Sequence, residues 1–470
     1  MDAVQDVVII GAGSAGLSAY KEAKKFTDKV VVIDKGPLGT TCARTGCMPS
    51  KVFIQAANYY HQRHYFESMG IIGQEHVKVN VAKVMQHVRE LRDFFTEGVI
   101  KSTKAIGDRL INGEASFVDP NTVEVNGERI KSKAFIIATG SRSKIPKPWL
   151  AFEDDILVSE NFFEQDNFPN KIGVIGAGSI GLELGQSLAY LGKDVNMFHA
   201  RDMIGGLSDP KVNQTAITIF KKDLNLYLNE QVELNHHHDG LQITGKNNTP
   251  VQKVVAAIGR SPNIEHLNLD LLGVPCDERG IPKYDKTTMN IENSSIFIAG
   301  DTNADKALLH EAADEGRIAG YNATHNTQCF RRRTPIRMLF TEPNIAVVGQ
   351  SFRELAGKDI VIGEVDYSNQ GRARVMMKNE GILRIYGNKK TGHLLGAEMV
   401  SPSGEHIAHL LAWAIDKNLT VFDVLQMPFY HPTVEEGMRT ALRDLEKQIE
   451  KKSSDFDLAL CDSEAMDSLA

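Results

Sequence analysis

Two stretches of this chain repeat one another closely enough to dictate much of its fold. Near the start, Val7-Val8-Ile9-Ile10 runs into Gly11-Ala12-Gly13-Ser14-Ala15-Gly16; in the middle, Ile172-Gly173-Val174-Ile175 runs into Gly176-Ala177-Gly178-Ser179-Ile180-Gly181. Each is an apolar run opening into GxGxxG, followed by a helical stretch and a second apolar run, at 30–33 and 195–198. The residue that ends the second run, Asp34 in one copy and His199 in the other, stands 23 positions after the first glycine in both. Two chance glycine turns have no reason to share that spacing. A strand, tight turn, helix and second parallel strand form a dinucleotide-binding unit. Its glycines permit the turn, the approach of a pyrophosphate and close helix packing. The helix N-terminus supplies unpaired N–H groups and a positive dipole end for the phosphates.

Two dinucleotide sites in one chain imply a flavin and a nicotinamide, between which hydride transfer is a common use of such a pair. Gly11, Gly13, Gly16 and Asp34 are the candidate FAD contacts of the first unit. Gly176, Gly178, Ile180, Gly181 and His199 are the corresponding NAD(P) contacts of the second. Three more apolar runs end in glycine and suit the crevice at strand C-termini where ligands bind: Ala134 to Gly140, with Thr139; Val254 to Arg260, with Gly259; and Ile296 to Asp301.

Between Asp34 and the next helical stretch lies Gly39-Thr40-Thr41-Cys42-Ala43-Arg44-Thr45-Gly46-Cys47-Met48-Pro49-Ser50-Lys51. Five cysteines are too few to scaffold 470 residues, and in a reducing compartment a close pair is catalytic or metal-binding. No second ligand pair at zinc spacing lies nearby, so no metal is expected. Pro49 suits a first helical position and residues 52–61 read as helix, which sets Cys47 close to a helix N-terminus that favours a thiolate. This segment resembles the redox-active Cys-x4-Cys motif of the class I pyridine nucleotide-disulfide oxidoreductases. Its Pro49-Ser50-Lys51 continuation is most similar to that of dihydrolipoamide dehydrogenases, and the resemblance runs over roughly residues 4–450.

The resemblance implies that Cys42 is the interchange thiol and Cys47 the thiol facing the flavin, with Lys51 paired to Glu183 beside it. It adds Thr41, Ala115 and Leu309 to the FAD contacts. Near the C-terminus, Tyr430-His431-Pro432-Thr433-Val434-Glu435-Glu436 matches the family's His-Pro-Thr-x-x-Glu segment. Imidazole suits thiol–disulfide exchange as a base because its pKa lies near ambient pH, and a carboxylate can orient it. His431 is therefore the candidate base and Glu436 its partner. In the family this histidine serves the other subunit, so a homodimer with shared active sites is implied.

The expected fold is α/β: two Rossmann-like dinucleotide-binding domains and a C-terminal α+β dimerisation domain. Residues 1–145 and 270–333 would form the FAD domain, 146–269 the NAD(P) domain and 334–450 the interface domain. Residues 451–470 read as an acidic tail. Its Cys461 stands alone and does not make the C-terminal redox pair of large thioredoxin reductases or mercuric reductases. The implied activity is oxidation of dihydrolipoamide to lipoamide with NAD+, lipoyl domains of a 2-oxoacid dehydrogenase complex being the implied partners. An NADPH-dependent reductase of a low-molecular-weight disulfide, similar to glutathione reductase, is the alternative. Ser50 speaks against it, since that subgroup usually has Lys there. Arg44-Thr45 replace the family's usual Asn-Val, and Thr40 replaces a glycine.

Nicotinamide choice stays open. NAD-specific units end the second strand with an acid that accepts from the ribose 2′-OH. Here the sequence is His199-Ala200-Arg201, and Arg201 could pair with a 2′-phosphate. A formal charge of −7 offers no field for nucleic acid. The run Arg331-Arg332-Arg333 is expected to be a solvated connector, and His236-His237-His238 an exposed loop. No basic, apolar leader opens the chain and no apolar stretch approaches the length of a bilayer span, so a cytoplasmic location is expected.

Overall fold

The computed structural model describes residues 4–292, 294–450 and Leu458; the rest of the expected tail, with Cys461, lies outside them. The chain is α/β, built on three principal sheets. In the first, Leu110–Asn112, Val30–Asp34, Gln5–Ile10, Glu128–Ile137 and Ile296–Ile298 lie side by side, all parallel. Val7, Val8 and Ile9 are fully buried, as the unbroken apolar runs require of a parallel sheet covered on both faces. The long strand Glu128–Ile137 does double duty. Its first half pairs antiparallel with Thr122–Val125, which in turn pairs with Ser116–Asp119.

Helix Ser14–Ala23 crosses helix Leu309–Asn322 on one face of this sheet, through small residues. A Cβ on Gly316 would stand 2.1 Å from Ala15 O, and one on Gly320 2.5 Å from Ala19 O. Only glycines allow the two backbones that close. Ile264, Leu267, Leu269 and Leu272 pack into the core on the sheet's other side, with Phe117 and Phe135.

The second sheet repeats the plan. Asn225–Leu228, Asp194–His199, Lys171–Ile175, Lys253–Ala256 and Ile156–Leu157 are parallel, with an antiparallel sheet of Glu233–His237, Gly240–Thr244 and Thr249–Val251 alongside. His236 and His237 therefore lie in a strand rather than in the loop expected from sequence; only His238 reaches the turn. A two-stranded link, Ser141–Ser143 with Arg260–Pro262, forms where the chain leaves and rejoins the first unit.

The third sheet is antiparallel, in the order Ile336–Leu339, Asn344–Gly349, Leu394–Ser401, Ile382–Asn388, Ile360–Asp366. Helices Gly404–Asp416 and Glu436–Glu446 bury Ile407, Leu411, Ala441, Leu442 and Leu445 in its core.

Two buried carboxylates fasten the second sheet's unit to the third. Glu398 has no exposed surface; it accepts from the backbone N–H of Ser208 (2.7 Å), Asp209 (2.9 Å) and Phe352 (2.9 Å). Asp209 is equally buried; it caps helix Pro210–Phe220 and accepts from Arg384 and Tyr386. Buried charges persist when paired and hydrogen-bonded in this way. Among the described residues no helix is long and apolar enough to cross a membrane.

Candidate active site

The first glycine turn sits where three parallel strands end. Gly11 takes φ +109°, and a Cβ there would stand 2.2 Å from Ala138 O; one on Gly16 would stand 1.9 Å from Gly11 O. Between them, Gly13 has nothing within 4 Å of where its Cβ would be, at the N-cap of helix Ser14–Ala23. The second turn is the same: 2.2 Å from Gly176 to Ala257 O, 1.8 Å from Gly181 to Gly176 O, and open space at Gly178. Two glycines of each set are demanded by packing. The third leaves a clear approach to the helix N-terminus, which a pyrophosphate fits. Both turns thus suit a dinucleotide.

Asp34 accepts from Ala12 N–H at 2.6 Å and Gly36 N–H at 2.7 Å, keeping further lone pairs for a ribose. Gly140 N–H donates to Thr302 Oγ1 at 2.6 Å, Thr139 Oγ1 donates to Asn263 O at 2.7 Å, and Ser141 Oγ donates to Asp301 at 2.8 Å. The Thr139–Gly140 and Asp301 strand ends are thereby tied together beside the first turn. Ala115 is buried ahead of strand Ser116–Asp119. Leu309 is exposed at the start of its helix and Thr41 exposed at the start of the short helix Thr41–Arg44.

Sequence reasoning missed what supports the Asp301 loop. Glu315, 1% exposed, accepts from Gly300 N–H and from Asn303, both at 2.7 Å. Arg332 ion-pairs with Glu315 at 3.1 Å and with Glu311 at 2.5 Å. The central arginine of the run is therefore a structural cation, not a solvated one. Arg331 and Arg333 lie outside it, against Asp416 and Asp314. Arg332→Ala leaves the buried Glu315 without its counter-ion and Glu311 with Lys306 alone, and should cost about 3 kcal/mol, measured as a lowered denaturation midpoint. FAD loss should accompany unfolding at the loop, and an unchanged midpoint would refute the support role.

His199 closes its own glycine turn as Asp34 closes the first. Ala177 N–H donates to His199 Nδ1 at 3.2 Å, and Nε2 lies 3.2 Å from Met203 O, to which it donates. Both ring nitrogens are thus engaged within the chain, and burial holds the imidazolium's pKa below its usual value. Arg201 is exposed, with no ion pair among the described residues. Gly259, at φ +113°, has open space around it. A carboxylate at 199 could accept from Ala177 with one oxygen and from a ribose hydroxyl with the other. His199→Glu is therefore expected to raise the kcat/KM ratio for NAD over NADP by roughly tenfold, the worth of one hydrogen bond to a charged group. An unchanged ratio means residue 199 does not face the ribose.

The redox segment forms two helices. Cys42, partly buried, lies in Thr41–Arg44; Cys47, exposed, is the first residue of helix Cys47–His61. The helix starts two residues before Pro49, which was expected to open it, so Cys47 itself occupies the dipole end. Below it the helix buries Phe53, Ile54 and Ala57, each large apolar side chain contributing about 2 kcal/mol. Both cysteines are free thiols. The two sulfurs lie close together; the neighbouring Cys42 thiol, with the Lys51 charge helping, lowers the Cys47 pKa, and Cys47 pushes Cys42 up. The pair is therefore asymmetric, with Cys47 the thiolate and Cys42 the proton holder. Thr40 takes φ 56°, strained for a β-branched residue, and accepts from Ala43 N–H.

Helix Cys47–His61 is clasped at both ends to helix Ser179–Tyr190. Lys51 Nζ meets Glu183 at 2.7 Å, and the other oxygen of Glu183 accepts from Phe340 N–H at 2.8 Å. At the far end His61 stacks on Tyr190 at 3.6 Å. In between, Gln186 exchanges two hydrogen bonds with the backbone of Glu342.

His431 Nδ1 lies 3.0 Å and 3.1 Å from the two oxygens of Glu436, which also accepts from Thr433 N–H. A carboxylate only accepts, so Nδ1 carries the proton and Nε2 presents a lone pair. The histidine bond, then the Thr433 amide, hold Glu436 below the usual carboxylate range. His431 is 80% exposed. Within one chain, among the described residues, no hydrogen bond or ion pair joins it to Cys42 or Cys47. No group of three or more His, Cys, Asp or Glu among those residues is placed to hold a metal.

Residues 5–316 match the family described as pyridine nucleotide-disulphide oxidoreductase, and residues 336–442 its dimerisation domain. The chain belongs to this family. Members bind FAD and use NAD(P)H, and the dimerisation domain pairs two copies. Among similar proteins, a mercuric reductase from Bacillus cereus is 31% identical over 95% of this chain and 72% of its own length. A dihydrolipoyl dehydrogenase from Geobacillus stearothermophilus is 30% identical over 92% of this chain and 94% of its own. The flavoprotein disulfide reductase RclA from Escherichia coli shares the fold, with a TM-score of 0.82 at 22% identity, covering 95% of this chain and 99% of that one.

Proposed function

We propose that this oxidoreductase is a dihydrolipoamide dehydrogenase, oxidising a small dithiol with NAD+ through Cys42 and Cys47. The close cysteine pair at the head of helix Cys47–His61, with the Lys51–Glu183 ion pair one turn on, carries the reading. Near-complete length correspondence with the Geobacillus dehydrogenase, against 72% of the mercuric reductase, favours this substrate class.

The cycle begins with the Cys42–Cys47 disulfide. His431 of the partner subunit, held by Glu436 with Nε2 outward, takes the proton of one substrate thiol. The resulting thiolate sulfur bonds to Cys42 and displaces Cys47 as a thiolate, which the helix N-terminus and Lys51 stabilise. The second substrate thiol attacks the substrate sulfur bound to Cys42, its proton passing to the departing Cys42 sulfur. That breaks the mixed disulfide, releases the cyclic disulfide and returns Cys42 as a thiol. The substrate has lost two electrons and two protons, and the cysteine pair has gained the electrons. Bound FAD and nicotinamide supply the electron-pair and hydride chemistry that reoxidises the thiols. Gly11, Gly13, Gly16, Asp34 and Asp301 would hold the first, Gly176, Gly178 and Gly181 the second.

One observation favours the same centre running in reverse, as an NADPH-dependent disulfide reductase. His199 replaces an acid, and Arg201 is free to meet a 2′-phosphate. Turnover of dihydrolipoamide with NAD+ measured beside glutathione disulfide with NADPH decides between them. Faster turnover of the second pair would overturn the reading.

A further inference from the structure

Lys51 is held from three sides. Its ammonium lies 2.7 Å from Glu183, 3.4 Å from Ser50 Oγ and 4.6 Å from the centre of the Phe340 ring. Phe340 also gives its backbone N–H to the second oxygen of Glu183 at 2.8 Å. It thus engages one ion pair twice, main chain on the carboxylate and ring on the ammonium. A lysine ammonium is a point charge on a flexible four-carbon stem. Glu183 alone would draw that charge toward helix Ser179–Tyr190, away from the head of the redox helix. An aromatic face within about 6 Å attracts a cation and is a second anchor.

We propose that Phe340 is the positioning residue for Lys51, its ring seating the ammonium so that the charge is delivered to the thiol and flavin centre. The proposal rests on the reading of Lys51 as facing bound FAD. Phe340 directly follows strand Ile336–Leu339 of the third sheet, within the dimerisation domain. The charge at the redox centre is therefore set partly by the unit of the third sheet, whose Glu342 backbone also bonds Gln186 of the facing helix.

The test is the midpoint potential of bound FAD in wild type, Phe340→Leu, Phe340→Tyr, Lys51→Met and the Lys51→Met/Phe340→Leu double variant. Leucine keeps the N–H that binds Glu183 and removes only the ring. It should disfavour the reduced flavin by about three- to tenfold, the range of a partly exposed cation–π contact. That fold-change corresponds to a fall of roughly 15–30 mV for a two-electron couple. Tyrosine should match wild type, and in the Lys51→Met background the leucine change should add nothing. An unchanged potential in Phe340→Leu, with a shifted one in Lys51→Met, overturns the proposal alone. No shift in Lys51→Met overturns the placement of Lys51 at the flavin, and the proposal with it. A leucine variant that is less stable to denaturant but has an unmoved potential marks Phe340 as merely structural, and also counts against the proposal. If the leucine variant does not retain FAD, Phe340→Met replaces it in the same comparison.

Discussion

Cys42→Ser and Cys47→Ser should each abolish disulfide turnover while FAD stays bound, since in the proposed mechanism the cysteines relay electrons and the glycine turns hold the cofactor. The two variants differ in colour. Cys42→Ser keeps the thiolate at the helix head and a hydroxyl that can still donate to it, so it should show a long-wavelength thiolate–flavin absorbance; Cys47→Ser should not. The band should appear as pH rises through about 7, where Cys47 ionises, since a lowered thiol pKa means the thiolate is present above that value and lost below it. Cys42→Ala lacks the donor that contributes most to the lowering, and its band should emerge at higher pH. A band in Cys47→Ser instead would exchange the roles of the two residues.

His431→Ala should slow the thiol half-reaction by roughly 10²–10⁴-fold, the usual worth of a positioned base. Its exposure, with no hydrogen bond or ion pair to the cysteines of its own chain among the described residues, fits the proposal that it works in the second copy. Mixing this variant with Cys42→Ser should restore activity, because a hybrid dimer contains one site with intact cysteines and an intact histidine. Rapid-reaction mixing and a subunit-exchange control check both statements. No recovery under demonstrated exchange would mean the sites are not shared. Glu436→Gln should retain more activity than His431→Ala, since an amide oxygen can still accept from Nδ1.

Much of the first two sheets was legible because glycine spacing reports backbone geometry directly: positions 11, 16, 176 and 181 are glycine because a carbonyl oxygen lies within about 2 Å of where a Cβ would stand. The His431–Glu436 pair was legible because both partners lie within one short segment. What escaped the sequence is contact between distant segments. Arg332 looked like one member of a charge run, because nothing local distinguishes it from its neighbours; its partners Glu311 and Glu315 reveal themselves only once helix Leu309–Asn322 turns back on the chain. The helix began at Cys47 and not at Pro49, since the preference of proline for a first turn does not forbid the third position of that turn. His199 was readable as a strand end. Its occupation by Ala177 and Met203 was not, because both depend on how the turn folds over the ring.

The clasp between helices Cys47–His61 and Ser179–Tyr190 divides the second helix into two territories for anyone redesigning this protein. Glu183, Gln186 and Tyr190 face the thiol helix and the Phe340–Glu342 segment, so altering them to retune nicotinamide affinity would retune the thiols as well. Strand end His199 and exposed Arg201 lie outside that clasp. On the proposed reading of His199 and Arg201 as the ribose contacts, coenzyme preference is open to engineering there independently of the thiol chemistry, while helix Ser179–Tyr190 is best left as it is.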